Sequence, residues 1–285
     1  MLSEALEKLH RLAFWGAGLL AMLLFYGPAS AADAAWPSDV ATRYKLKFNG
    51  FDVGSYTFQS RFDGKTYAAS SSADVSALFG AFKWKGNIES RGLLAQQGPQ
   101  PQTYQMNYKA KKKQGSVTLG FEKGVIKSVT LVPNKPPNPE TVPVTTDHLK
   151  VGVFDPMTTI LAMTHASSAK PCDKKIPVFD GKARFDLVMS YKGQEKVADK
   201  KPSGQPGQLV VCTVKYVPIA GHKPKDFENP WVDYGGIEIA LRPVPSAHVY
   251  VPYRITISTS IGAAVMQAEN INITDANKVQ IALTQ

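Results

Sequence analysis

Cysteine is nearly missing from this chain. Only Cys172 and Cys212 occur in 285 residues. Their separation excludes a Cys-x-x-Cys redox pair and the close ligand pairs of a structural zinc site. No Gly-x-Ser-x-Gly elbow is present, and no glycine-rich loop leads into a helix, so neither hydrolase nor phosphate-cradling signatures find support. The histidines beyond the N-terminal stretch, His148, His165, His222 and His248, are scattered without His-x-His or His-x-x-x-His spacing. Acidic residues are outnumbered: Lys and Arg total 33 against 23 Asp and Glu, a formal net charge of +10. There is no internal repeat. These absences leave no motif for catalysis, and no cofactor or metal is expected.

The longest hydrophobic run, residues 12–26, spans fifteen positions, short of the roughly 20 needed to cross a bilayer. Lys8 and Arg11 precede it, Gly27-Pro28 breaks it, and Ala29-Ser30-Ala31 supplies small residues for cleavage. This is the layout of a secretory signal peptide over residues 1–31, with an uncleaved anchor as the alternative. No cysteine follows the run for lipid attachment, and no Arg-Arg pair precedes it, which favours the general secretion route. Export to the periplasm places residues 32–285 in an oxidising compartment. Two cysteines there most simply form one disulfide, Cys172–Cys212, with a free thiol as the alternative. The basic excess then suits an anionic lipid surface or cell-wall polymer, whereas nucleic acid is an improbable partner outside the cell. Lysines gather at 109–113, at 170–175 and at 192–201, where solvated strand ends would also account for them.

Beyond the leader, short alternating segments dominate. Tyr44, Leu46 and Phe48 alternate with Lys45 and Lys47, and Asn49-Gly50 then turns the chain, a strong hairpin signal. Period-two rows recur at Tyr104, Met106 and Tyr108, at Val117, Leu119 and Phe121, and at Val210, Cys212, Val214 and Tyr216. Such rows mean antiparallel strands with one buried face. Residues 74–82 carry Val75, Leu78, Phe79 and Phe82 at helical spacing and predict a short helix or a wide bend. Gly98-Pro99-Gln100-Pro101 reads as a break. Five prolines in 133–143 make a rigid loop that could join halves at about 40–132 and 150–285. One helix is clear: Asp155 caps it, Pro156 suits its first position, and Met157, Ile160, Leu161 and Thr164 form its apolar stripe. Twelve to fourteen strands with one short amphipathic helix packed against them predict a mainly β fold. Its form would be a large curved antiparallel sheet, a barrel or a spiral.

Three places could carry chemistry. Asp180 with Asp186, or Glu228 with Asp233, could meet as paired acids, although their setting in an Asp-Gly turn and an aromatic loop favours turn geometry and surface pairing. Arg184 and Asp186 share a strand face and suit a cross-strand ion pair. The candidate binding surface is the aromatic loop Phe227, Trp231 and Tyr234, which would either stack on a ligand or fold back over the core.

The segment Val178-Phe179-Asp180-Gly181-Lys182-Ala183-Arg184-Phe185-Asp186-Leu187 resembles the DUF3108 family of exported bacterial proteins. Phe51-Asp52-Val53-Gly54-Ser55-Tyr56, the helix opening Asp155-Pro156-Met157 and the closing Val251-Pro252-Tyr253-Arg254-Ile255 through Gly262 resemble it in the same order. The resemblance covers residues 44–273. It implies an exported β-rich domain of unassigned function and brings no catalytic residues. The layout is also similar in kind to the envelope-integrity β-spiral proteins of alphaproteobacteria, which have one disulfide, and to the lipoprotein-carrier half-barrels. The expectation is a monomeric, non-enzymatic periplasmic protein of the cell envelope. It would hold an apolar ligand, a lipoprotein segment or a partner peptide on its concave face; the row Tyr104, Met106 and Tyr108 either lines that face or, the favoured reading, is plain core. An envelope hydrolase with residues converging from separate strands is the alternative, as is a basic scaffold docked on peptidoglycan or anionic lipid.

Overall fold

A computed structural model of the chain describes residues 36–284, apart from 78–79, 81, 96–97, 112, 135, 137, 151, 167–169, 198–206 and 225–235. The expected signal peptide at 1–31 therefore lies outside the described residues. The seven strands before the proline-rich stretch form a meander: β1 (Asp39–Phe48), β2 (Phe51–Phe62), β3 (Thr66–Ala77), β4 (Phe82–Ala95), β5 (Gly98–Ala110), β6 (Lys113–Glu122) and β7 (Val125–Val132). The helix α1 (Pro156–Thr164) follows. Then come β8 (Lys174–Phe179), β9 (Arg184–Lys196), β10 (Gln208–Ala220), β11 (Ile237–Val244), β12 (Val249–Thr259), β13 (Gly262–Thr274) and β14 (Gln280–Thr284).

All fourteen strands belong to one antiparallel sheet, in the order β7-β6-β5-β4-β3-β2-β1-β13-β12-β11-β10-β9-β8. The β1–β13 ladder, from Asp39↔Thr274 to Phe48↔Ala264, makes the strands on either side of residues 133–143 continuous. β14 pairs with the far half of β13, beyond the part that β12 occupies. At the Asn49-Gly50 turn both residues have positive φ (49° and 84°), the conformation a tight two-residue hairpin requires.

The sheet curls without closing by hydrogen bonds. Its two ends, β7 and β8, are not ladder neighbours. Phe154 pairs instead with the outer edge of β8, through Phe154 N–H to Pro177 O and Phe179 N–H to Phe154 O, both 2.9 Å. The β8–β9 turn then lies on β6 and β7. A Cβ on Gly181 would come within 2.3 Å of Val117 Cγ1, so only glycine allows that approach. Inside the curl lies α1, in contact with β3, β4 and β5 on one side and β8 and β12 on the other. Its buried residues, Met157, Thr158, Thr159, Leu161 and Met163, therefore cover more than one stripe.

Two local expectations are corrected. Residues 74–77 continue β3 and Phe82 begins β4, so those described residues of the 74–82 segment form strand rather than helix. Residues 98–101 begin β5 rather than breaking the chain. Here β5 pairs only with β4, because its ladder to β6 starts at Thr103↔Gly120. Pro99 and Pro101 thus sit where one side of the strand needs no N–H donor.

Candidate functional site

Inside the curl, an apolar cavity separates the second half of α1 from β1, β2 and β12. Its volume is about 80 Å³. Alternation places Val40, Thr42 and Tyr44 of β1, and Tyr56, Phe58, Ser60 and Phe62 of β2, on this wall. Ile160, Leu161 and Met163 form the helical wall, and Val251 and Ile255 the β12 wall. Trp36 closes one side, stacked between Phe62 (ring centroids 4.9 Å apart) and His165 (4.0 Å). Among the described residues no charged side chain lines the cavity.

Two hydroxyl residues interrupt the apolar rows. Ser60, only 1% exposed, sits between Phe58 and Phe62 on β2, and its Oγ has no hydrogen-bond partner. Thr42 sits between Val40 and Tyr44 on β1, one diagonal step away. A buried hydroxyl without a partner costs about 1–3 kcal/mol, and a ligand with a hydrogen-bonding group would recover that loss. Burial also pushes the Tyr44 and Tyr56 phenols to higher pKa, so both remain neutral donors.

A second polar group lies at the start of α1, away from the cavity wall. Asp155, fully buried, caps the helix by accepting from the N–H groups of Met157 and Thr158, each 2.9 Å. Its other oxygen accepts from Thr158 Oγ1 (2.5 Å) and Ser90 Oγ (3.2 Å), and Tyr67 Oη lies 2.7 Å from Thr158 Oγ1. Burial raises the Asp155 pKa, against the hydrogen bonds that favour its charged form. A serine beside a carboxylate invites a catalytic reading. Here the carboxylate serves as a cap, and Ser90 is 1% exposed. Among the described residues no group of three His, Cys, Asp or Glu is placed to hold a metal ion.

The other end of α1 is held by Lys174. Its Nζ donates to the carbonyls of Ala162 and Met163 (both 2.9 Å) and His165 (3.2 Å), and burial pushes its pKa down to about 8. Two residues on, in the same strand, begins a second core. Cys172 and Cys212 are bonded, with Cα atoms 5.3 Å apart, among Met163, Ile176, Met189 and Leu241.

Of the paired acids, Asp180 accepts from the N–H groups of Lys182 (2.8 Å) and Ala183 (2.7 Å) and so shapes its turn. Asp186 binds Arg184 on its own strand (2.6 Å) and Lys175 across the ladder (3.0 Å). Asp186 is also buried while Tyr191 is 63% exposed, the reverse of simple alternation. The row Tyr104, Met106 and Tyr108 lies off the cavity, with Tyr104 deep in the main core. Phe227, Trp231 and Tyr234 lie outside the described residues, as do Glu228 and Asp233. The cavity itself was missed by sequence reasoning. Its signal was a small hydroxyl residue at an inward position between large apolar ones, at Thr42 and Ser60.

The fold and site together define an open, barrel-like β protein with an apolar interior. The family model described as protein of unknown function (DUF3108) matches residues 43–269, and the chain belongs to that family. No curated protein matches it. Among solved structures it is similar to a β-barrel-like protein of domain of unknown function DUF1849 from Brucella abortus. That similarity has 12% identity and a TM-score of 0.48, covering 85% of this chain and 100% of the other.

Proposed function

We propose that this is a non-enzymatic protein of the bacterial envelope that holds a neutral, single-chain apolar ligand between α1 and strands β1, β2 and β12. The carrying observation is an uncharged cavity whose buried Ser60 hydroxyl lacks a partner. Its lining suits an acyl chain ending in an alcohol, ester or amide. An ionised fatty acid is disfavoured, because no cation lines the cavity to meet its carboxylate. Export is supported by the N-terminal pattern and by the disulfide. Among the described residues no helix is long and apolar enough to cross a membrane.

The test uses the neutral fluorescent probe N-phenylnaphthylamine, with Trp36 emission as a second reporter. The probe should bind, and a long-chain alcohol should displace it about tenfold more effectively than the matching fatty acid at neutral pH. Ile160→Trp should fill the cavity and abolish binding. Ser60→Ala should weaken the alcohol while raising the melting temperature, since it removes an unpaired buried hydroxyl. Failure of the probe to bind, or undiminished binding to Ile160→Trp, would overturn the reading.

A further inference from the structure

The hairpin turns divide between two rims. The β12–β13, β1–β2, β3–β4 and β5–β6 connections lie along one rim, at successive positions of the sheet. The ends of β2, β4, β6 and β13 lie at the opposite one. That rim also exposes Leu93 (41%) and Val279 (55%), so the two differ in charge rather than in apolar content alone.

On the first rim, Ile261 is 68% exposed, Phe51 76% and Phe82 49%. Asn49 ties the first two tips together. Its Nδ2 donates to Ile261 O (3.1 Å), and its Oδ1 accepts from Ala263 N–H (2.9 Å). Next along the rim stand Lys83, Lys85, Lys109, Lys111 and Lys113, all exposed. Lys85 is directly opposite Lys109 in the β4–β5 ladder, and Lys111 N–H bonds Lys83 O. Like charges placed opposite one another oppose strand pairing, so local stability does not account for this arrangement. The acids on this arc are Asp52 and Asp74, already in ion pairs with Lys45 (3.7 Å) and Lys85 (2.7 Å). Among the described residues Lys83, Lys109, Lys111 and Lys113 make no ion pair. The opposite rim is balanced turn by turn: Asp63 with Lys65, Glu122 with Lys123, Asp275 with Lys278.

We infer that the rim carrying Ile261, Phe51 and Phe82 beside Lys83, Lys109, Lys111 and Lys113 docks the protein on an anionic bilayer surface. Phe51, Ile261 and Phe82 enter the headgroup boundary while the lysines face anionic headgroups. Exposed aromatic and aliphatic tips beside unpaired lysines are the combination a charged interface binds: apolar area buries, and cations neutralise the surface. This inference goes beyond the cavity reading and rests on a different surface.

Co-sedimentation of the full chain with phosphatidylcholine vesicles, with and without phosphatidylglycerol, tests it. Binding should require phosphatidylglycerol and fall with added salt. The double variant Lys109→Gln/Lys111→Gln should bind roughly thirty-fold more weakly. Phe51→Ser should bind about tenfold more weakly. The double variant Lys65→Gln/Lys123→Gln on the opposite rim should bind like the parent, and all variants should keep the parent's melting temperature. The inference is overturned by any of three results: no binding to phosphatidylglycerol vesicles, equal binding to phosphatidylcholine alone, or equal losses from variants of the two rims.

Discussion

Asp155 is a carboxylate with four donors around it and, among the described residues, no cation, inside the curl of a sheet. Burial is the largest influence on its pKa and raises it above the ordinary 3.8. The folded protein therefore takes up a proton at a pH where the unfolded chain has not. The stability this contributes is fully present below about pH 3.8 and is lost as pH rises through the folded pKa. Asp155→Asn keeps a competent helix cap but does not titrate. The urea-unfolding free energy of the native protein, relative to Asp155→Asn, should accordingly grow as pH falls from 7 toward 4. A gap that shrinks on acidification would mean that the donors, not burial, control this carboxyl. The capping role was readable from Asp155-Pro156. Its partner Ser90 was not, because it lies 65 residues away and meets Asp155 only when β4 curls over α1; nor was Tyr67, which reaches Thr158 Oγ1 from β3.

At the scale of the element, α1 is the wedge that keeps the curved sheet from collapsing on itself. At nine residues it is too short to persist alone, so its order comes from contacts with β3, β4, β5, β8 and β12. Met157, 1% exposed, lies at the first turn with its sulfur 3.4 Å from Ser71 Oγ. Met157→Ala should destabilise the protein by about 2–5 kcal/mol, measured by urea unfolding. A loss under about 1 kcal/mol would show that the sheet closes up without the wedge. The helix ends at Thr164, and Lys174 arrives from β8 to hold the last carbonyls. That contact was invisible in the sequence, where Lys174 read as one of a solvated cluster.

For the whole molecule, the question is what joins the two ends of a sheet that never closes its ladder. Phe154 on the edge of β8, Gly181 against Val117, and the Cys172–Cys212 bond all act on the β8 end. The disulfide closes a loop of 40 residues, which corresponds to about 4 kcal/mol in the chain-entropy model. Cys172→Ser/Cys212→Ser should lower the melting temperature of the whole sheet in one transition while leaving the cavity able to take its probe. An unchanged melting temperature would show that the β8 end is held by packing alone. A separate early transition would show that β8–β10 melts apart from the rest.

The sequence by itself determined the element types. Period-two rows, the Asn49-Gly50 turn and the Asp155-Pro156 cap act over a few residues, where side-chain direction and backbone preference are local matters. It also carried the family, through motifs kept in order along the chain. Only the tertiary structure decided that Pro99 and Pro101 lie within a strand, since that depends on where β6 begins to pair. It alone decided that Thr42 and Ser60 face a cavity without charged lining, and that Lys109, Lys111 and Lys113 share a rim with Phe51 and Ile261. Each depends on which strands become neighbours in the sheet. That is settled by pairings such as β1 with β13, more than two hundred residues apart, to which no local pattern is sensitive.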